Sequence, residues 1–374
     1  MVTLVTTSGS GAMDIYAQKL AEHLDVPKLY SDIYQRVAGQ FNTPVLSWAA
    51  LKAVWQDFGF IRNLNRQKGV LHLPNQHLGR YGLFLKTPYI ITVHDLMRYF
   101  DLKGYGPFIH RPNLRDRFYL SLDYRGVKKA IRIIAVSQAT KRDLVQHLGI
   151  PEERISVVYE GIDHQLFKLT SRRLLNYPYI LFVGSEHPCK NFAALLRAFS
   201  RLKSGGRFKD LKLVKVGKAG GPEAEFRKRT LQAINELNIS RDVVFTDYVT
   251  EEDLPAYYSG AECFILASLY EGFGLPPLEA MACGCPVIVS NVASLPEVTG
   301  EAAIKVNPYD SDDMTNALKK VLTHKHLKRE LASRGLEQAQ QFSWEKATQE
   351  TTEVYESVER LLRKRNLSLP NLFP

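Results

Sequence analysis

Residues 271–286 read EGFGLPPLEAMACGCP, and this stretch determines how the C-terminal half of the chain is interpreted. An apolar strand is predicted directly before it, at 263–267, and a short helix within it, with prolines near its start and a glycine after its end. Glu271 would then lie in the loop, and Glu279 in the first turn of the helix. Because α/β sheets bind ligands at the carboxyl ends of parallel strands, the stretch predicts a ligand site that holds two carboxylates.

The loop between the two carboxylates suits a phosphate or a sugar phosphate. Backbone N–H groups of Phe273, Gly274 and Leu275 precede or begin the helix, and a helix N-terminus attracts anions. A carboxylate accepts hydrogen bonds from paired hydroxyls, so one glutamate suits a sugar and the other a ribose. Without a ligand, Glu279 would only stabilise the helix N-terminus and Glu271 would be an ordinary loop residue.

A second motif, GSEHPCKN at residues 184–191, repeats the order strand, turn, helix. The strand ends at Gly184, and Lys190 stands just before a helix predicted to begin at about Asn191. An ammonium and a helix N-terminus together can hold one diphosphate. In isolation, Lys190 would be read as a solvated side chain beside a helix cap; two such loops together favour a diphosphate site.

Short apolar strands alternate with amphipathic helices along all 374 residues, which predicts parallel sheets covered by helices. The pattern restarts after about Thr170, so the length indicates two domains. A composition of 45% hydrophobic and 24% charged residues excludes a disordered chain or a collagen-like fibre. Four cysteines do not make a disulfide framework, and no apolar run reaches a membrane-spanning length, so a cytoplasmic protein is expected.

The positive charge is concentrated in the N-terminal half. Residues 1–170 contain 22 basic and 14 acidic side chains, whereas the rest of the chain is nearly balanced. Such a half is a candidate for contact with an anionic partner, and an acceptor phosphate or the inner face of an anionic membrane is favoured over nucleic acid. A merely solvated basic surface is the alternative.

The motifs together resemble the family 4 retaining glycosyltransferases. The hallmark of that family is two glutamates separated by seven residues, matched here by Glu271 and Glu279. The resemblance extends to PVIVS at 286–290, to 131–167 and to the His94-Asp95 strand end, and it is weak only between about 25 and 85. It implies a GT-B fold, in which two Rossmann-like, doubly wound parallel-sheet domains face each other across a cleft.

The resemblance also implies a division of labour between domains. Residues 1–170 would form the acceptor-binding domain and residues 171–345 the domain that binds a nucleotide diphosphate sugar. The C-terminal helix, 346–374, would return to the N-terminal domain. Hinge closure would then assemble the site and exclude water.

Individual roles follow from the same resemblance. Glu279 would bind the ribose, Glu271 the donor sugar or its phosphate side, and Lys190 the diphosphate. His94 would lie beside the reacting sugar, with His94, Glu271 and Lys190 forming the catalytic set. The donor-binding set consists of Gly9, Gly11, Gly184, Lys190, Phe273, Gly274, Leu275 and Glu279.

One departure from the family pattern concerns phosphate binding. The family usually carries an additional arginine near the lysine, and Ser185 and Cys189 occupy the candidate positions here. Lys218 or Arg229 would then share the phosphate. Tyr248, after a strand at 243–247, is a candidate for the base.

The implied activity is transfer of a hexose to a glycan or lipid-linked acceptor, with retention of configuration and with neither a metal nor a cofactor. It would serve cell-surface polysaccharide or glycolipid synthesis. The Pro-x-Lys-Asn loop resembles that of mannosyltransferases, which implies a GDP-mannose-like donor. His72, Asn75 and His77 follow another predicted strand and are candidates for the acceptor side, or else form a polar loop.

Several alternatives stay open at this stage. A nucleotide-sugar epimerase or a phosphorylase would share the fold. A nicotinamide-dependent oxidoreductase is disfavoured, because the glycine pattern after the first strand is incomplete. A non-catalytic relative that binds a glycan or a membrane is the third alternative. Asp310 and Asp312 are interpreted as helix capping rather than metal ligands, and Cys283 and Cys285 as core packing. The aromatic and basic segment 46–68 is either a helix packed on the sheet or an interfacial helix on a membrane.

Overall fold

The computed structural model describes residues 1–7, 9, 11–31, 48–220 and 223–368. Residues 46–47 and 369–374, which the sequence places at the ends of two helices, lie outside this range. The chain divides into two compact units. Unit 1 contains 1–99, 112–161 and 344–374, and unit 2 contains 100–111 and 162–343.

Unit 1 is built on a six-stranded parallel sheet with the strand order β2-β1-β3-β4-β5-β6. Its strands are β1 (Val2–Thr7), β2 (Lys28–Ser31), β3 (Val70–Leu73), β4 (Tyr89–Val93), β5 (Arg132–Ala135) and β6 (Ile155–Val157). Its helices are α1 (Ala12–His23), α2 (Trp48–Leu64), α3 (Gly79–Gly82), α5 (Leu114–Lys129), α6 (Gln138–Leu148) and α14 (Trp344–Ser368), while α4 (Met97–Lys103) runs across the boundary into unit 2.

Unit 2 is built on a second six-stranded parallel sheet, ordered β12-β11-β10-β7-β8-β9. Its strands are β7 (Tyr179–Val183), β8 (Lys212–Val216), β9 (Val243–Asp247), β10 (Cys263–Leu266), β11 (Val287–Ser290) and β12 (Ala303–Val306). Its helices are α7 (Phe192–Ser204), α8 (Glu223–Glu236), α9 (Leu254–Gly260), α10 (Leu275–Ala282), α11 (Leu295–Thr299), α12 (Ser311–Thr323) and α13 (Lys325–Ala339).

Both sheets are doubly wound, as the alternating pattern predicts. The strand order reverses between β1 and β3 in unit 1 and between β7 and β10 in unit 2. All central strands are buried, because helices cover both faces of the sheet. Each reversal is a topological switch point, the place where ligands bind in open α/β sheets.

The last helix, α14, packs within unit 1. Val354 and Val358 lie in the same buried cluster as Val2 and Leu4 of β1, and the Trp344 ring contacts Tyr16 of α1. The apolar side of α14 therefore lies against the N-terminal sheet, as expected for a C-terminal helix that returns to this domain.

Local sequence signals set several helix ends. Ser137 accepts a hydrogen bond from the Thr140 amide and caps α6, which ends at Gly149 in the left-handed conformation. Asp310 accepts bonds from the amides of Asp312 and Asp313, so the capping interpretation of this motif is confirmed. The helix α5 begins with a capping box formed by Asn113 and Asp116.

Candidate active site

The loop after β10 turns into α10 at Gly274, whose φ of 110° is unfavourable for a residue with a side chain. A Cβ there would also lie 2.9 Å from a Leu295 methyl. The helix begins at Leu275, and no acidic residue lies in its first turn. Glu279 therefore stands in the second turn, and the expectation that it lies in the first turn is wrong, because Pro276 and Pro277 both fall inside the helix start.

Lys190 and Glu271 meet at the switch point of unit 2. The Lys190 Nζ lies 2.7 Å from the Glu271 Oε1, which also accepts a hydrogen bond from the Ser268 hydroxyl at 2.5 Å. Lys190 follows β7 and Glu271 follows β10, and these strands are neighbours in the sheet. The two residues were assigned to phosphate and sugar separately, whereas here they form a largely buried ion pair.

Asn191 fixes the loop that carries Lys190. Its φ of 53° ends the short 3₁₀ turn Pro188–Lys190 and begins α7. Its side-chain amide donates to the carbonyls of Ala267 and Pro308, at 3.0 and 2.7 Å. These bonds tie the loop after β7 to the segments that follow β10 and β12, so the turn that carries Lys190 is held in place. Gly184 lies at the start of this loop, beside the Lys190 stem.

Ser294 holds the loop that carries Glu271. Its hydroxyl lies 3.0 Å from the Glu271 carbonyl and 2.7 Å from the Phe273 carbonyl, and it is fully buried. The Phe273 ring is also buried and packs edge-on against Phe342. Phe273 can therefore offer only its backbone to a ligand. At the start of α10 only Gly274 and Leu275 have N–H groups to offer, because Pro276 and Pro277 have none.

Glu279 and Tyr258 form a second polar pair in unit 2. The Tyr258 hydroxyl, at the end of a fully buried side chain, donates to the Glu279 Oε2 at 2.7 Å. Burial raises the pKa of Glu279 to about 7, and the bond from Tyr258 opposes that rise.

The role of the two cations proposed to replace the missing arginine stays a prediction. Arg229 is exposed and pairs with Glu225 on its own helix, and Lys218 is exposed. Instead, Glu186 in the 184–191 motif contacts Lys215 at 3.2 Å and Arg227 at 2.8 Å.

This buried pairing involves a lysine that the sequence reading passed over. Lys215 is fully buried at the end of β8, and it also donates to the carbonyls of Gly217 and Lys218. Burial lowers the pKa of Lys215, and Glu186 opposes that change. The Glu186 Oε2 is buried without a hydrogen-bond partner among the described residues.

In unit 1, His94 follows β4 and is fixed between two acceptors. Its Nδ1 lies 2.8 Å from the Glu160 Oε1, and its Nε2 lies 3.0 Å from the Pro74 carbonyl. Only a ring protonated on both nitrogens donates both bonds. Burial alone would lower the pKa of His94, but the Glu160 carboxylate outweighs burial and the pKa is raised. The two acceptors and the raised pKa both favour the doubly protonated ring.

Sequence reasoning missed Glu160, although it lies in the quoted segment 131–167. The signal was there to be found, since Glu160 follows β6, just as His94 follows β4. It is a buried carboxylate at a strand end, a position that calls for a partner. Its partner lies 66 residues away in sequence, so no spacing rule identifies it.

The three acceptor candidates do not form one open surface. His72 is fully buried, with its Nδ1 2.6 Å from the Tyr355 hydroxyl and its Nε2 2.8 Å from the Thr92 hydroxyl. Burial lowers its pKa to about 3. This placement contradicts the expectation that His72 lines an acceptor site; it is a core residue that ties β3 to α14.

The neighbours of His72 have local roles as well. Asn75 is buried and caps the 3₁₀ turn Gln76–Leu78 by accepting from the His77 amide. The His77 ring lies 3.3 Å from the Asp123 carboxylate, which Arg80 also binds with two nitrogens. Asn75 is therefore a poor candidate for acceptor contact, and His77, which is only partly buried, is the remaining one.

The Gly9–Gly11 turn follows β1 at the switch point of unit 1. A Cβ on Gly9 would lie 2.1 Å from the Asp14 carboxylate, so a larger residue there would have to displace that side chain. Asp14 in turn accepts from the Thr7 hydroxyl at 2.5 Å, and Gly11 is the N-cap of α1. The Asp14 carboxylate lies beside this turn and disfavours an anion there, so the anion-facing role of Gly9 and Gly11 stays a prediction.

Two other sequence interpretations have structural outcomes. Cys283 and Cys285 are buried free thiols, which confirms core packing. Tyr248 is exposed directly after β9, and its role at a base stays a prediction.

Among the residues that the structure describes, no group of three His, Cys, Asp or Glu side chains is arranged to hold a metal ion. Within the same residues, no helix is long and apolar enough to cross a bilayer.

The two doubly wound sheets define a GT-B-type protein, and comparison with solved structures agrees. Sucrose-phosphate synthase from Thermosynechococcus elongatus superposes with a TM-score of 0.75 at 21% identity, covering 96% of this chain and 99% of that one. HepE from Anabaena, solved with UDP and glucose, superposes with a TM-score of 0.76 at 19% identity, covering 95% of this chain and 99% of that one. At these identities the likeness establishes the fold.

Sequence comparison establishes the family. Residues 168–367 match the family described as Glycosyl transferases group 1, and residues 4–166 match Glycosyltransferase Family 4. The chain belongs to this glycosyltransferase family.

Curated relatives with similar sequences include several mannosyltransferases. The serotype-specific mannosyltransferase WbdA of Escherichia coli is 31% identical over 68% of this chain, but the match spans only 32% of WbdA. The O-antigen chain mannosyltransferase B of Escherichia coli is 31% identical over 71% of this chain and 69% of its own length. The MMP alpha-(1->4)-mannosyltransferase of Mycolicibacterium hassiacum is 32% identical, with 72% and 65% covered.

Proposed function

We propose that this protein is a retaining hexosyltransferase that transfers mannose from a nucleotide diphosphate sugar to a glycan or lipid-linked acceptor. The observation that carries the proposal is the arrangement at the switch point of unit 2. There the Lys190–Glu271 ion pair lies at the ends of adjacent strands, and the N-terminus of α10 follows the same loop. One cation, one carboxylate and one helix N-terminus are the groups that a sugar diphosphate requires.

In this proposal the donor diphosphate replaces Glu271 as the partner of Lys190. The diphosphate binds at Lys190 and the start of α10, which weakens the Lys190–Glu271 pair and leaves Glu271 to accept sugar hydroxyls. When the sugar–oxygen bond breaks, negative charge grows on the leaving diphosphate, and Lys190 stabilises it. Glu279 accepts the ribose hydroxyls in its ionised form. The acceptor hydroxyl attacks from the face that the leaving group vacates, and its proton passes to the departing phosphate.

The choice of sugar and acceptor rests on the relatives. All three of the curated relatives described above are named mannosyltransferases, and one of them acts, by name, on O-antigen chains. HepE was solved with UDP-glucose, which shows a nucleotide sugar on a fold of this type. We therefore infer a nucleotide-mannose donor and a surface glycan or its lipid-linked precursor as acceptor. The four buried free cysteines suit a reducing compartment such as the cytoplasm.

The test is a transfer assay with a panel of nucleotide sugars and lipid-linked glycan acceptors, with product linkage determined by NMR. Wild-type protein should transfer one sugar with retention and should need the acceptor. The Lys190→Ala, Glu279→Ala double variant should lose at least about 10²–10³-fold in kcat/KM. The matched control, Lys319→Ala with Glu337→Ala, removes the same charges from exposed helix positions and should retain activity.

Two results would contradict the proposal. Wild-type rates in the double variant would show that this switch point is not the donor site. Conversion of the donor without any acceptor, to an epimer or a sugar phosphate, would indicate the epimerase or phosphorylase alternative.

A further inference from the structure

The helix α2 of unit 1 exposes three large aromatic side chains. Trp48, Trp55 and Phe58 have relative accessibilities of 88%, 77% and 65%. The spacings of seven and ten residues place all three on one side of a helix. Exposed tryptophan is unusual in a globular protein, and two on a single helix form an apolar strip that needs an explanation.

The opposite side of α2 already packs on unit 1. Phe60 and Leu64 are buried, and the Phe60 ring contacts Tyr81 edge-on. Asp57 accepts a hydrogen bond from the Tyr81 hydroxyl at 3.0 Å. The segment therefore packs on the domain, as one of the two sequence interpretations predicts, while its aromatic side remains exposed.

The charges around the aromatic strip are all positive. Lys52 and Arg62 are exposed on the helix, and Arg66 and Lys68 are exposed just after it. Asp57 is the single acidic residue between positions 48 and 68, and it is turned toward Tyr81. The exposed side of α2 therefore combines aromatic rings with cations and carries no carboxylate.

A neighbouring loop extends the same pattern. The Asn65 side chain bonds to the Phe84 carbonyl at 3.1 Å and to the Lys86 amide at 2.8 Å, which holds this loop at the end of α2. Phe84 and Lys86 are both exposed. The Lys129 ammonium lies 3.0 Å from the Leu83 carbonyl, which adds another cation beside Phe84. The α2 surface is defined here as Trp48, Lys52, Trp55, Phe58, Arg62, Arg66, Lys68, Phe84, Lys86 and Lys129.

We propose that the α2 surface docks the protein on an anionic lipid bilayer. Tryptophan and phenylalanine side chains insert at the boundary between headgroups and acyl chains, and lysine and arginine around them bind lipid phosphates. A bilayer fits this surface better than a protein partner does, since its cations are spread around the aromatic strip instead of converging on one pocket. The inference goes beyond the transfer reaction and can be measured without donor or acceptor.

The chain supplies its own probes for the test. Its three tryptophans are Trp48, Trp55 and Trp344, and Trp344 is buried in the core of unit 1. Vesicles of equal parts phosphatidylcholine and phosphatidylglycerol, with brominated acyl chains, quench only tryptophans that enter the bilayer. We expect quenching of wild-type fluorescence, and no quenching in the Trp48→Phe, Trp55→Phe variant, although that variant still sediments with the vesicles.

Charge and aromatic variants then separate the two contributions. Trp48→Ala with Trp55→Ala should weaken vesicle binding by at least about tenfold. Lys52→Glu with Arg62→Glu should do the same at low salt, and the difference should shrink as salt screens the charges. The controls are Tyr309→Ala and Lys319→Glu, exposed residues of unit 2, which should bind as wild type does.

Three outcomes would overturn the inference. The first is that wild-type protein does not sediment with anionic vesicles. The second is that quenching persists when Trp344 is the only tryptophan. Concentration-dependent self-association that disappears in the Trp48→Ala, Trp55→Ala variant would assign the α2 surface to a second copy of the chain. None of these results depends on the transfer activity, so the docking inference and the proposed function can fail separately.

Discussion

Removing the Tyr258 hydroxyl should shift the pH dependence of nucleotide binding. Tyr258 is fully buried and donates to the Glu279 Oε2 at 2.7 Å. Burial raises the pKa of Glu279 to about 7, and this bond holds the pKa below the value that burial alone would produce. Tyr258→Phe deletes the donor and keeps the ring, so the pKa of Glu279 should rise further.

The size of the shift follows from the strength of the bond. A hydrogen bond to a charged group contributes about 1.5–3 kcal/mol, which corresponds to about one to two pKa units. At the lower value the pKa of Glu279 becomes about 8, and its ionised fraction at pH 7.5 falls from about three quarters to about one quarter. If the ribose binds the ionised form, affinity falls about threefold at pH 7.5, about ninefold at pH 6, and not at all above about pH 9.

Isothermal titration calorimetry across this pH range, with the nucleoside diphosphate that binds most tightly, provides the measurement. Glu279→Gln is the control, because it removes the titrating group and should bind weakly with a flat profile over this range. A Tyr258→Phe profile that coincides with that of the wild type, or that moves to lower pH, would refute the reasoning. So would a Glu279→Gln variant that keeps the wild-type pH dependence.

Four further outcomes are expected. The pKa of Glu279 is raised above its ordinary value of 4.5, so this residue contributes stability that is fully present below pH 4.5 and is lost as pH rises through about 7. Glu279→Gln should therefore be more stable than wild type at pH 8, by about 2–3 kcal/mol in urea unfolding, and equal to it at pH 4.5. If transfer requires a protonated His94 beside the sugar, Glu160→Gln should leave donor affinity unchanged but lower the pKa of His94, so the rate should begin to fall at a lower pH than in wild type. An unaltered pH–rate profile would exclude that requirement. Gly274→Ala should lower the free energy of unfolding by about 1–3 kcal/mol, because φ is 110° there, and it should also weaken nucleotide binding; unchanged stability in urea unfolding would contradict this. Lys215→Met should cost about 3–5 kcal/mol by leaving Glu186 buried with fewer partners, and Glu186→Leu in the same chain should recover part of that loss; no recovery in a double-mutant cycle would indicate independent residues.

The sequence predicts the sheets better than it predicts their edges. Continuous apolar runs such as 179–183 identify buried parallel strands, and the restart of the pattern near residue 170 indicates two sheets. The sequence analysis does not predict the strands Lys28–Ser31 and Ala303–Val306, because these edge strands are only half buried and lack a continuous apolar run. The helix Leu114–Lys129 is not among the predicted elements, although Asn113 and Asp116 form a capping box that marks its start.

Site residues are predictable where a local motif carries them. Lys190 and Glu271 follow strands, and parallel topology brings such ends together, so their meeting follows from the fold. The partner of His94 is Glu160, and the partners of His72 are Thr92 and Tyr355, all distant in sequence. Whether a histidine within a strand, such as His72, or after one, such as His94, faces a ligand or the core depends on these distant partners, which no single motif reveals.

The most direct test of the account is nucleotide binding by the C-terminal switch point. Wild-type protein and the Lys190→Ala variant are titrated with UDP, GDP, ADP and dTDP in the presence of EDTA, with Lys319→Ala as the matched control. The account predicts that one nucleotide binds wild type and the control equally, and binds Lys190→Ala at least about tenfold more weakly. Equal binding of that nucleotide by the Lys190→Ala variant, or no binding of any nucleotide by folded wild-type protein, would contradict it.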